Sequence, residues 1–250
     1  MGGTALDRKE KKQLYDSYLS SHFKDIHPGD TKEFSRYYSY FKKNYLPYLP
    51  QQKASRILEL GSGMGHFLNF LKMEGYHNYL GVDICEENIR FCRERDFNVT
   101  QADIFGFLAE TSELFDTIIM NDVLEHFEKP EVFQFLDLAY KRLSPGGKLI
   151  LKVPNAANPI LASSTRYMDF THELLFTEES MTQVLRISGF NQIMIYPQDL
   201  YVFSRNPLNY IAKFLNFVIN CILRLLFLFY GRTTTKIFTK NIIAVAMKRQ

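Results

Sequence analysis

ILELGSGMGHF, residues 57–67, is the stretch on which the fold turns. The apolar run RILEL (56–60) closes in Gly61, Gly63 and Gly65, and HFLNFLKMEG (66–75) follows with helical spacing and a terminal glycine. Glycines between a strand and a helix permit a tight turn and let a ligand approach the backbone and the helix N-terminus. Outward from this turn the chain alternates. NYLGVDI (78–84) reads as a strand, EENIRFCRER (86–95) as a helix, FNVTQAD (97–103) as a strand and DTIIMND (116–122) as a buried strand. PEVFQFLDLAYKRL (130–143) is an amphipathic helix closed by the turn SPGG, and KLILKVPN (148–155) is the next strand. TEESMTQVLRISGF (177–190) forms a helix capped by Thr177, QIMIYP (192–197) a strand, and NIIAVAMK (241–248) the last strand. Such alternation predicts an α/β, doubly wound parallel sheet with helices on both faces.

Carboxylates stand at informative places around the glycines. Asp83 ends the second strand, where it can accept hydrogen bonds from two ribose hydroxyls. Asp103 ends the third, followed by Ile104, a pair suited to an adenine amino group and one ring face. Glu59 precedes the glycines; an anion there is badly placed beside a pyrophosphate and well placed beside a cationic ligand.

These motifs, with FDTIIMNDVLEHF (115–127) and LSPGGKLILKVPN (143–155), resemble the class I S-adenosylmethionine (SAM)-dependent methyltransferases, in order, over roughly residues 50–200. The resemblance implies a seven-stranded Rossmann-like sheet with a reversed last strand. It places Glu59, Gly61, Gly63 and Gly65 at the methionine end of SAM, Asp83 with Ile84 at the ribose, and Asp103 with Ile104 at the adenine. Asn121 and Asp122 face the sulfur, and S-adenosyl-L-homocysteine is the product. No metal ligand is assigned. The domain reading is a helical lid over 1–50, a SAM-binding core over 51–200, a basic amphipathic helical insertion over 201–240 and a final core strand over 241–250.

The residues after the fourth strand narrow the acceptor. Asn121-Asp122-Val123-Leu124 departs from the Asn/Asp-Pro-Pro-aromatic loop of amino-directed base methylation, and no Pro-Cys pair stands there for attack on a pyrimidine. Nucleic acid is therefore not an expected partner. The run Asp122 to His126, D-x-L-E-H, is common in small-molecule and sugar methyltransferases of this class. Glu125 and His126 are expected at the helix entry and cofactor wall, with direct catalysis as the alternative, and His126 is also a candidate to bind substrate. RYMDFTHELLFTEES follows the fifth strand, where loops form the substrate rim. Its F-T-H-x-x-x-F-T pattern (170–177) resembles a segment of methyltransferases encoded with bacterial surface-polysaccharide genes, in which it forms the acceptor side. An imidazole there suits general-base work, so His172 is the candidate catalytic residue, with a helix-entry or loop hydrogen-bonding role as the alternative. Arg166 and Tyr167 are candidates to hold phosphate or sugar hydroxyls.

The composition, 46% hydrophobic and 15% aromatic, supplies a full core. Three cysteines without a C-x-x-C pair and a polar N-terminus point to a cytoplasmic protein. From Ser180 onward stand nine Lys/Arg and one acid, Asp199, although the whole chain carries only +3. That basic third suits an acidic surface. Within it, Arg205, Asn209, Lys213, Asn216, Asn220 and Arg224 trace a polar stripe on the otherwise apolar segment 208–232. A helix of this kind either lies on anionic membrane, at its inner face, or is buried against the domain or a second copy in a homodimer. The reading reached is a SAM-dependent O-methyltransferase of a sugar or phosphorylated precursor of a bacterial surface glycan. The alternatives are methylation of a phosphate or phosphoramidate oxyanion, and a non-catalytic SAM-binding regulatory subunit.

Overall fold

Apolar residues occupy both phases of the central strands, so the sheet is buried on both faces. The protein's architecture was obtained as a computed structural model, which describes residues 31–198 and 207–250. β1 (Ile57–Leu60), β2 (Tyr79–Asp83), β3 (Val99–Gln101), β4 (Phe115–Asn121) and β5 (Leu143–Pro154) pair in parallel. β6 (Asn191–Pro197) and β7 (Asn241–Met247) complete a seven-stranded sheet of order β3-β2-β1-β4-β5-β7-β6. β7 runs antiparallel to both neighbours, so the expected reversed strand is present.

Leu58, Ile118, Met120, Leu149, Leu151 and Ala244 face one layer, formed by α4 (Ile104–Glu110), α5 (Lys129–Arg142) and α7 (Glu178–Ile187). Ile57, Ile119, Ile150, Ile243 and Val245 face the other, formed by α1 (Thr31–Asn44), α2 (His66–Met73) and α3 (Glu86–Arg93). Phe135 and Phe70, each fully enclosed, illustrate the driving force: burying such a side chain stabilises by about 1.5–3 kcal/mol. α1 packs as core. Phe41 meets Phe67 edge-on at 4.9 Å between centroids, and Tyr45 is fully buried. The rest of the segment read as a lid, residues 1–30, lies outside the described residues, as do Asp199 and Arg205.

Two local expectations change. SPGG is no free turn: β5 begins at Leu143, which pairs with Phe115, and the register then shifts before Thr117 meets Lys148. The extra residues form an irregularity in a continuing ladder, with Gly146 at φ 73. Asp103 does not end a strand. β3 stops at Gln101, and the Asp103 side chain accepts from Gly106 N at 2.9 Å, capping α4.

α6 (Ala162–Met168) follows β5, and α8 (Leu208–Phe229) separates β6 from β7. None of the 22 residues of α8 is buried. The side nearest the body includes Lys213, close enough to Lys43 on α1 to pull the Lys43 ammonium down to about 8, and Phe227, edge-on to Phe238 at 4.6 Å. The remaining arc, with Phe214, Phe217, Leu225 and Phe229, is exposed. The helix is long and apolar enough to cross a membrane by length and composition.

Candidate functional site

The loop after β1 is shaped by left-handed glycines. A Cβ on Gly61, at φ 72, would collide with Val123, whereas one on Gly63, at φ 51, meets nothing within 4 Å. The loop therefore turns tightly against its neighbour at one glycine and lies open at the other. Asp83 holds it there. Its Oδ2 accepts from Gly63 N at 2.7 Å, and its Oδ1 accepts from Cys85 N at 2.8 Å and Asn88 Nδ2 at 3.3 Å. Burial raises the Asp83 carboxyl above its ordinary range, against the pull of those bonds. The sequence placed Asp83 at the ribose; its carboxylate is also the clamp between the glycine loop and the end of β2. Ile84 follows it half-buried, and Ile104 sits half-buried in the first turn of α4. Asp103 is exposed, and its capping bond uses Oδ1.

Glu59 points into the sheet's carboxyl edge at 3% exposure. Its Oε1 accepts from Asn121 Nδ2 at 3.3 Å, and its Oε2 finds no hydrogen-bond partner among the described residues. Burial holds its carboxyl well above the usual range; Asn121 opposes this and the charge of Asp83 adds to it. Tyr45, the residue just after α1, donates to Asn121 Oδ1 at 2.5 Å and so fixes the amide that orients Glu59. Asp122, left-handed at φ 53, pairs with Lys152. Burial works against the Lys152 charge, but Asp122 beside it keeps the ammonium above its ordinary range. Tyr45 and Lys152 were missed in the sequence. Lys152 left a readable signal, a basic residue inside the apolar run KLILKVP; Tyr45 left none.

A second group lies beyond Asp122. The 3-10 turn Leu124–His126 carries Glu125 at 1% exposure and His126 at 9%. Glu125 O accepts from Glu173 N and Leu174 N at 2.8 and 2.9 Å, which brings in His172, itself 8% exposed. The two imidazole centroids are 4.8 Å apart. His172 Nδ1 lies 2.6 Å from Thr165 O, and His126 Nδ1 lies 2.8 Å from Thr171 Oγ1, which donates to Asp169 Oδ1 at 2.6 Å. Burial, then the neighbouring His172, pulls the His126 imidazolium down to about 4. Burial, then Asp122, holds the Glu125 carboxyl well above its usual range. Arg166 and Tyr167 sit on α6, whose Thr165 carbonyl receives His172. Arg166 lies 4.0 Å from Glu173 and over the ring of Tyr167, which is exposed.

The profile of a family described as a methyltransferase domain matches residues 34–194. A small RNA 2'-O-methyltransferase of Mus musculus is 25% identical over 169 residues, covering 60% of this chain and 42% of its own length. A phosphoethanolamine N-methyltransferase of Zea mays is 22% identical over 193 residues, covering 69% and 37%. The chain thus spans about two-fifths of the length of these curated relatives. Among solved structures, a SAM-dependent methyltransferase from Archaeoglobus fulgidus superposes with TM-score 0.67 at 24% identity, covering 93% of this chain and 100% of that one.

Proposed function

The chain belongs to the class I SAM-dependent methyltransferase family, and from that premise we propose that it methylates an oxygen on a sugar or phosphorylated small molecule. The carrying observation is Glu59, a buried carboxylate whose Oε2 finds no hydrogen-bond partner among the described residues, beside an open glycine cradle. A buried acceptor of this kind is costly unless a donor meets it, and a cationic donor meets it best. The ammonium of SAM fits that requirement. Glu59 and the loop of Gly61, Gly63 and Gly65 would hold its methionine end, Asp83 with Ile84 the ribose, and Asp103 with Ile104 the adenine. Asn121 and Asp122 would stand at the sulfur. SAM supplies a methyl group on a sulfonium and leaves as S-adenosyl-L-homocysteine.

On the acceptor side His172 has its Nδ1 held by a carbonyl, which can only accept, so its Nε2 bears the lone pair. In the direct form of the reaction this nitrogen removes the proton of the acceptor hydroxyl. Arg166 and Tyr167 on α6, with His126, would bind the acceptor. An acceptor from bacterial surface-glycan assembly is supported by the F-T-H-x-x-x-F-T segment that carries His172. Arg166 near the same segment favours a second acceptor, a phosphate or phosphoramidate oxyanion, which needs no base. Methyl transfer from labelled SAM to a panel of nucleotide sugars, glycans and phosphoramidates tests the reading. The expected result is O-methylation of a hydroxyl, with loss in His172→Ala. A loss of only a few-fold moves the assignment to the oxyanion, and no transfer to any oxygen sinks it.

We propose the cytoplasmic face of a membrane as its place of action. α8, about 33 Å long at 1.5 Å per residue, matches the roughly 30 Å of a bilayer core. A single crossing would nonetheless put β6 and β7 on opposite sides, and these strands are hydrogen-bonded to one another. We therefore read the helix as lying along a surface with its exposed apolar arc outward.

A further inference from the structure

We propose that Glu125, His126 and His172 bind one divalent cation of the zinc or manganese type, through a carboxylate oxygen and one ring nitrogen from each histidine. The three ligand atoms lie within 4.8 Å of one another. Bonds of about 2.1 Å in tetrahedral geometry set ligands roughly 3.4 Å apart, so small side-chain adjustments close the site. Glu125 Oε2, buried and without a hydrogen-bond partner among the described residues, is the acceptor that such an ion would satisfy.

Hydrogen bonding has already chosen the ligand nitrogens. Thr165 O can only accept, so His172 carries its proton on Nδ1 and its lone pair on Nε2. Thr171 gives its single hydroxyl proton to Asp169 Oδ1, so it accepts from His126 Nδ1–H, which puts the His126 lone pair on Nε2 as well. A carbonyl and a carboxylate relay behind two imidazoles form the outer shell that orients metal-ligating histidines. The scaffold is independent of any ion, because the Glu125 carbonyl bonds to Glu173 N and Leu174 N pin the His172 loop to the 124–126 turn. Two imidazoles with one carboxylate suit zinc, manganese or a similar first-row ion better than magnesium or calcium, which prefer all-oxygen sets.

Three protein ligands leave coordination positions for a substrate oxygen. Resting on the oxygen acceptor proposed above, the cation would bind the acceptor hydroxyl and lower its pKa. The O–H bond breaks with its proton passing to water, and the resulting oxyanion takes the methyl group. His172 is then a ligand and the ion takes over the base's work.

Tag-free full-length protein, stripped with chelator, tests this by calorimetry with Zn2+ and Mn2+ and by Mn2+ resonance, beside His172→Gln and Glu125→Gln. SAM affinity and circular dichroism serve as folding controls. The expected result is saturable one-to-one binding, weakened at least tenfold in each variant that retains SAM binding, and several-fold in Thr171→Val. Wild-type protein that binds SAM but neither ion overturns the proposal, as does affinity unchanged in both folded ligand variants. Cation binding by a protein that methylates no oxygen would defeat the acceptor reading alone.

Discussion

Glu59 places binding and stability in opposition. Its folded pKa is raised, so its favourable contribution is complete below the ordinary carboxylate value and is lost as pH rises through the folded one. At neutral pH the ligand-free chain therefore bears a penalty. Glu59→Gln should melt like wild type near about pH 4 and higher than wild type at about pH 7–8, by on the order of 1–3 kcal/mol, while SAM binding falls. A variant that melts below wild type at neutral pH contradicts this account. Asp83 behaves differently, because its three bonds hold the loop together. Asp83→Ala should lose about 1.5–3 kcal/mol of SAM affinity, the range for a charged hydrogen-bond partner, and also lower the melting temperature. Unchanged calorimetric affinity would remove Asp83 from the cofactor site. The meeting of these carboxylates with three glycines was legible in the sequence, because they stand at strand ends beside the glycine turn. The clamp was not, because a bond from Gly63 to Asp83 depends on loop shape that residue types alone do not specify.

Elements were readable where periodicity was strong. The polar stripe of 208–232 announced a helix, and α8 spans Leu208–Phe229. A stripe does not say which side meets the body; that follows from Lys213 lying beside Lys43 and Phe227 against Phe238. If the outer arc lies in a headgroup layer, purified protein should co-sediment with anionic vesicles and less so at high salt, each basic residue near the surface contributing about 1 kcal/mol. Phe217→Asp should abolish sedimentation and leave the oligomer mass unchanged. Should vesicles be ignored while the substitution halves the mass, the arc is a subunit interface instead. The SPGG segment shows the opposite kind of misreading. Pro and Gly signal a turn, but Leu143 finds Phe115 across the sheet and extends the ladder through them.

At the scale of the whole molecule, the alternation of apolar runs and amphipathic helices made the parallel sheet legible, and the reversed last strand followed from the methyltransferase resemblance rather than from periodicity. The Glu125–His172 cluster was not legible as a unit, because it closes through the carbonyl of Glu125, and backbone groups carry no sequence signature. β7 is the keystone, paired along its whole length with β5, paired with β6 across one irregularity, and buried along nearly its whole length. Val245→Asp would bury an unpaired charge there and should cost on the order of 4 kcal/mol or more, read as a collapsed urea midpoint. A normal midpoint would mean that β7 is dispensable. The position of β7 also sets a timetable. Chains are made from the N-terminus at about 5–20 residues per second, and α8 is translated before β7. While the ribosome is still making the last strand, β5 and β6 wait with open edges and the apolar helix has already been made. A nascent chain therefore offers its greasiest segment before its sheet can close, and whatever covers α8 in the cell has the opportunity to meet it during synthesis.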